Sequence, residues 1–184
     1  NPNIIMNGSI RQGWSLWSIL TSSPRPLLYL TFAVNYVLGG LNVFGYHVFN
    51  LAVHLIAALA LFGVIRRTFG SVLLASSVPD RGWSLALITS LLWLVHPLQT
   101  QSVTYIFQRA EAMMGMFYLL TLYAAIRFFE GKAGQKWWAA LSVAACFLGM
   151  TCKPVMLTAP VLVLFYDRIF WAQSWTDLYR KRKK

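Results

Sequence analysis

Charge is what this sequence has least of. Only 11% of its 184 residues are charged, against 58% that are hydrophobic, whereas a soluble domain usually carries about a quarter of charged residues. That shortage excludes bulk water as the main solvent. One soluble core hides some apolar surface, but not several separate apolar runs of membrane-crossing length. Cysteine is scarce as well. Cys146 and Cys152 stand six apart in or near one apolar segment, on different sides of a helix and too far apart to bridge. They read as small packing residues rather than a redox pair. No methionine, basic n-region or cleavable apolar segment opens the chain at Asn1, so no signal peptide is recognisable. With Arg180, Lys181, Arg182, Lys183 and Lys184 following directly on a membrane segment, the sequence predicts a piece of something longer. No repeat of fixed period is visible. The inverted repeats or broken helix pair with midplane ionisable groups expected of a transporter are also missing.

What is present is a series of apolar runs with basic ends. The formal charge is +11, but the basic residues sit at the ends of apolar runs and form no continuous face, which argues against nucleic acid. The sequence therefore predicts an all-α, polytopic transmembrane bundle of four to five membrane helices with an N-terminal interfacial amphipathic segment. Residues 1–43 form the non-cytoplasmic loop and interfacial helix, with Trp14 and Trp17 at headgroup level and an amphipathic stretch from Arg25 to Leu38 interrupted by Asn35. Residues 44–172 form the bundle, and 173–184 a basic cytoplasmic tail.

Within the bundle, Phe44 to Ile65 is long enough to cross a bilayer and stops at Arg66 and Arg67. Trp83 to Val95 is short and stops at His96 and Pro97, so it needs tilt, thinning or protein neighbours. A third span runs from about Val103 to Phe129. Trp137 to Met150 and Pro154 to Phe170 form a helical hairpin around Lys153. Alternating the spans puts Arg66, Arg67, Arg81, Arg127, Lys132, Lys136, Arg168 and the five terminal basic residues on one side. Only Arg11, Arg25, Arg109 and Lys153 fall on the other, so the positive-inside rule puts the N-terminal segment outside the cytoplasm.

Polar residues that interrupt apolar runs are the informative ones, because an unpaired charge or amide in hydrocarbon costs several kcal/mol. His47, His96, Gln99, Gln108, Arg109, Glu111 and Lys153 all fall at the non-cytoplasmic ends of their spans, where they line one expected pocket. Arg109 offers a bidentate fork and Lys153 a compact charge to a lipid-linked phosphate. Equally open is an Arg109–Glu111 pair or snorkelling, with Lys153 marking a helix end. His47, Asn50 and His54 share one helical face, but two histidines about 10 Å apart cannot hold one metal. Hydrogen bonding between helices is the favoured role, and no metal site is predicted. Asn7-Gly8-Ser9 matches a glycosylation acceptor, and Asp167 with Arg168 reads as a local cap or surface pair.

At these residues the sequence resembles the membrane region of bacterial tetratricopeptide-repeat membrane proteins, relatives of the eukaryotic transmembrane O-mannosyltransferases with the GT-C glycosyltransferase architecture. The resemblance runs through RPLLYLTFAVNYVLGG, GYHVFNLAVHL ending in Arg66 and Arg67, HPLQTQSVTYIFQRAE and KPVMLTAPVLVLFYDRIF. It implies a polytopic enzyme of the bacterial inner membrane that moves a sugar from a polyprenyl-phosphate carrier on the non-cytoplasmic side, with membrane lipids and further membrane subunits as partners. Arg109, Glu111, Lys153 and Arg25 would then border the lipid-phosphate site, with His47, His96, Gln99 and Gln108 lining it. The family's acidic residues, base or metal ligand, belong to an outer loop before the segment matching Asn1. No Asp or Glu precedes Asp80 here, so the catalytic residue is unknown and expected upstream, and a divalent metal would belong to the full-length protein. The alternative is a non-catalytic subunit or scaffold of a larger membrane complex.

Overall fold

A computed structural model describes residues 23–71, 74, 82–131, 135–172 and 174–176. The Asn7-Gly8-Ser9 sequon, the N-terminal tryptophans and nearly all of the basic tail lie outside these residues. The described residues are helical, with no strand.

Helix α1 (Pro26–Gly39) begins with proline, whose missing N–H is no loss in a first turn, and ends where Gly40 takes φ 59°. Asn42 then caps α2 (Val43–Phe69) by accepting a hydrogen bond from the Phe44 N–H, 3.0 Å. Helix α3 (Gly82–Val95) stops at His96-Pro97, because a proline disfavours helical backbone in the residue before it. The chain next passes through a 3₁₀ turn (Pro97–Gln99), the five-residue α4 (Thr100–Thr104) and a second 3₁₀ turn (Ile106–Gln108) before α5 (Arg109–Phe129). The expected third span is thus not a single α-helix from Val103. Helix α6 (Gln135–Met150) returns, and after Lys153 a 3₁₀ turn (Pro154–Thr158) leads into α7 (Ala159–Phe170).

Helix α5 is central, packing on α2, α6 and α7, while α3 packs on the other flank of α2. One apolar core joins Leu28, Phe32, Tyr46, Val53, Met113 and Cys152, and a second gathers Val64, Leu122, Ile126 and Tyr166. Two segments, Val43–Phe69 and Ile106–Phe129, are long and apolar enough to cross a membrane. Helices α3, α6 and α7 have 14, 16 and 12 residues, so the expected four to five crossings are not met by helix length. The apolar runs before Pro97 and Pro154 are helical to their last residue and are short in themselves, while α7 is shortened because the run from Pro154 opens with a 3₁₀ turn.

Alternation of the helices divides the charged residues between two ends. Arg66, Arg67, Arg127, Lys136 and Arg168 fall at one end, together with Trp83, Trp137 and Trp138, and Arg127 stacks on Trp138 at 4.4 Å. Arg109, Glu111 and Lys153 fall at the other. Asp167 is buried, because α7 turns that face toward the second core, and its backbone carbonyl accepts from the Trp171 and Ala172 N–H groups that end the helix.

Candidate functional site

The Lys153 end is built around an arginine that water does not reach. Arg109 opens α5 with no exposed surface. Its Nε donates to Asn50 Oδ1 (2.8 Å), Nη1 to Asn35 Oδ1 (2.7 Å) and Thr31 Oγ1 (3.3 Å), and Nη2 to the Tyr46 carbonyl (3.1 Å). The rings of Phe49 and Phe32 lie 4.3 and 4.5 Å from its guanidinium carbon. A buried cation is tolerable only when its donors are satisfied. Here neutral oxygens and aromatic faces do this, with no carboxylate among them. Asn35 and Asn50, the two amides interrupting apolar helices, supply two of the acceptors.

Glu111 leaves the same helix on another side, as residues two apart in a helix must. Its partner is Lys153, which reaches across from the α6–α7 turn. Of the readings left open for Arg109, the ion pair with Glu111 gives way to Lys153–Glu111, and the buried Arg109 does not snorkel to the surface. The Lys153 and Glu111 side chains remain 27% and 44% exposed, so water screens their attraction and the pair is easily exchanged.

Next to this pair is a crevice of about 210 Å³ whose lining includes Glu111, Gln99, Ser102, His54 and Trp93. The His54 Nε2–H donates to the Leu94 carbonyl (3.0 Å), and its ring lies 4.9 Å from that of Trp93. His47 Nδ1–H donates to the Val103 carbonyl (3.1 Å). Because a carbonyl can only accept, both bonds fix where the ring proton sits. Both are the interhelical bonds expected from sequence. His96 is exposed, and its Nδ1 accepts from the Leu98 N–H, 3.2 Å, capping the turn that follows. Gln108 is half-buried immediately before Arg109, and Arg25 precedes α1. The structure therefore brings Gln99 and Glu111 together in the crevice, with His54 added, and Lys153 joins them only through its pair with Glu111. It keeps Arg109 one layer behind, and His47, His96, Gln108 and Arg25 are not among the crevice residues.

These residues do not fit a divalent metal. Among the described residues no three His, Cys, Asp or Glu side chains gather, and His47 and His54 each commit a ring nitrogen to a carbonyl. The crevice itself offers an amide, a hydroxyl, an indole face and the Glu111 carboxylate, and the Lys153 ammonium paired with that carboxylate at its edge is the cation able to meet an anionic, partly apolar ligand there. The sequence marks His54 only as a helix-pairing residue, and its place in the lining follows from the packing of α3, which no local pattern reveals.

The chain is homologous to a segment of known proteins. It is 32% identical over 155 residues to protein O-mannosyl-transferase TMTC4 of Homo sapiens, covering 79% of this chain and 21% of that protein. The human protein O-mannosyl-transferase TMTC3 is 31% identical, covering 84% of this chain and 16% of the relative. Protein O-mannosyl-transferase Tmtc3 of Drosophila melanogaster is 33% identical, covering 79% and 17%. The chain thus spans about a fifth or less of the length of these relatives. They are animal proteins, so the expected bacterial source and inner membrane find no support in them. No family model and no solved structure matches.

Proposed function

We propose that the chain is the membrane-embedded part of a glycosyltransferase-like protein of GT-C architecture, and that the crevice beside Lys153 receives the phosphate of a polyprenyl-linked sugar donor. The observation that carries this reading is the exchangeable Lys153–Glu111 pair at the edge of a crevice that combines polar and aromatic groups. It is supported by similarity to proteins named as O-mannosyl-transferases.

A lipid phosphate competes with Glu111 for the Lys153 ammonium, and the half-exposed pair resists that exchange by at most about 1 kcal/mol. Trp93 offers an apolar face to the first isoprene units, while Gln99 and Ser102 supply neutral hydrogen bonds. Arg109 acts through packing, holding α1, α2 and the start of α5 together so that Glu111 faces the crevice. Its charge also raises the local potential toward an anion. The carboxylate that activates an acceptor is assigned to the whole protein outside this chain. In this reading the short helices α3, α6 and α7 span the bilayer with their flanking turns, giving the four to five crossings, and the arginine-rich end with its tryptophans faces the cytoplasm.

The test is polyprenyl-phosphate binding by the full-length protein in detergent. A charge-assisted hydrogen bond is worth about 1.5–3 kcal/mol, so Lys153→Ala should weaken binding by about one to two orders of magnitude while recovery in the membrane fraction stays the same. Unchanged affinity would remove the crevice from the donor site. A second reading is a non-catalytic scaffold, favoured by one fact: Glu111 is the only carboxylate in the crevice lining among the described residues, and it is neutralised by Lys153. A full-length protein that binds the lipid phosphate but transfers no sugar would select it.

A further inference from the structure

At the opposite end of the molecule, α2 and α5 run side by side and leave a groove of about 310 Å³ between them. The groove exists because small residues stand where the helices meet. Tyr123 lies so close to Gly63 that a Cβ there would come within 2.5 Å of the ring, and Ala60 continues the same low strip. Ile56, Leu59 and Leu120 make the walls apolar, and Arg66 and Arg67 stand at the mouth.

The two arginines differ. Arg67 is committed to Glu130, and its guanidinium carbon lies 5.4 Å from the centre of the Tyr123 ring. Arg66 is exposed and, among the described residues, has no ion pair or side-chain hydrogen bond. Trp83 is 54% exposed and meets Phe62 of α2 edge-to-face at 6.3 Å, marking this level as a headgroup-depth aromatic position. A free guanidinium beside an apolar groove matches a ligand with an anionic head and a hydrocarbon tail.

We propose that this groove binds an anionic diacyl phospholipid, with its phosphate on Arg66 and one acyl chain along Ile56, Leu59 and Leu120. The site rests on the membrane reading above but not on the donor crevice, which lies at the other end. A soluble anion would gain nothing from the apolar walls, and a zwitterionic lipid would bring its own cation against Arg66 and the neighbouring Arg67.

The test uses the full-length protein reconstituted in vesicles of phosphatidylcholine containing one part in ten phosphatidylglycerol, re-isolated in mild detergent, with the retained lipid quantified by mass spectrometry. One basic residue near the surface attracts an anionic lipid enough to give about fivefold enrichment of phosphatidylglycerol over its bulk fraction. Arg66→Gln should bring that close to the bulk ratio, Arg66→Lys should preserve most of it, and Leu59→Trp, which fills the groove from an exposed position, should reduce retention without removing the charge. Equal retention of both lipids by the wild type, or undiminished enrichment in Arg66→Gln, would overturn the site. Displacement by a polyprenyl phosphate but not by phosphatidylglycerol would also overturn it, assigning the groove to an isoprenoid. A protein missing from the membrane fraction would instead refute the membrane reading itself, a result distinct from lipid indifference in a membrane-bound protein.

Discussion

Replacing Arg109 by methionine keeps much of the side-chain volume and removes every donor. Asn50 Oδ1, Asn35 Oδ1 and the Tyr46 carbonyl then lose the N–H groups that satisfy them. Interhelical hydrogen bonds between membrane helices average about 0.6 kcal/mol, which sets the low end of the loss at roughly 2 kcal/mol for this cluster. A buried acceptor left unpaired costs about 1–3 kcal/mol, which raises the expectation to about 3–4 kcal/mol once the half-buried Asn35 is discounted. For a chain of this size each kcal/mol moves the melting temperature by about 2–4 °C, so a fall of roughly 6–15 °C is expected. The assay is thermal unfolding in detergent followed with a fluorogenic maleimide. Cys152 suits it as the reporter because it is fully buried in the same core as Phe32 and Tyr46. Arg109→Lys should recover only part of the loss, since one ammonium cannot serve the separate acceptors of Nε, Nη1 and Nη2. A melting temperature within about 2 °C of wild type for Arg109→Met, combined with lost lipid-phosphate binding, would refute the packing role and return Arg109 to the ligand.

Three further outcomes follow from close contacts and burial. Gly63→Ala would put a methyl group 2.5 Å from a Tyr123 ring already held edge-on by Trp138 at 5.9 Å, and overpacking of this kind costs about 1–3 kcal/mol, readable as a lower melting temperature. Gly149→Ala meets Met156 Cε at 2.6 Å, and with Met156 fully buried a loss in the same range, about 1–3 kcal/mol, is expected by the same measurement. Cys152 is fully buried, and a buried thiol in apolar surroundings is shielded from alkylating reagents. Alkylation of the native protein at pH 8 should leave Cys152 unmodified until denaturant is added, and rapid labelling by mass spectrometry without denaturant would contradict its burial.

Helices and their ends were legible because their signals are local. Pro26, the Gly39-Gly40 pair, His96-Pro97 and Lys153-Pro154 each mark a boundary that the structure keeps within a few residues. The break before Arg109 was not legible, since nothing between Val103 and Gln108 forbids helix. Asn35, Asn50 and Arg109 each stand out as polar interruptions of apolar runs, yet that the two amide oxygens meet the Arg109 donors depends on how α1 and α2 meet α5, a matter of packing and not of pattern. The same holds for Lys153 and Glu111. Both residues stand out as charges at the ends of apolar runs, but their pairing across 42 positions comes from the α6–α7 turn folding back over α5. The Gly63–Tyr123 approach left no sequence signal beyond a glycine in a helix.

The arginine cluster also dictates an order of assembly. Asn35 and Asn50 are synthesised 74 and 59 residues before the arginine that donates to their side-chain oxygens. Until α5 is made, the Asn35 and Asn50 Oδ1 atoms lack their arginine donor, and the first two helices dock through contacts such as the Asn35 Nδ2 bond to the Gly45 carbonyl, 3.3 Å. Their final register is set retroactively, when residue 109 arrives and ties three segments into one knot, so an early truncation before α5 should leave a helical pair that inserts but does not lock.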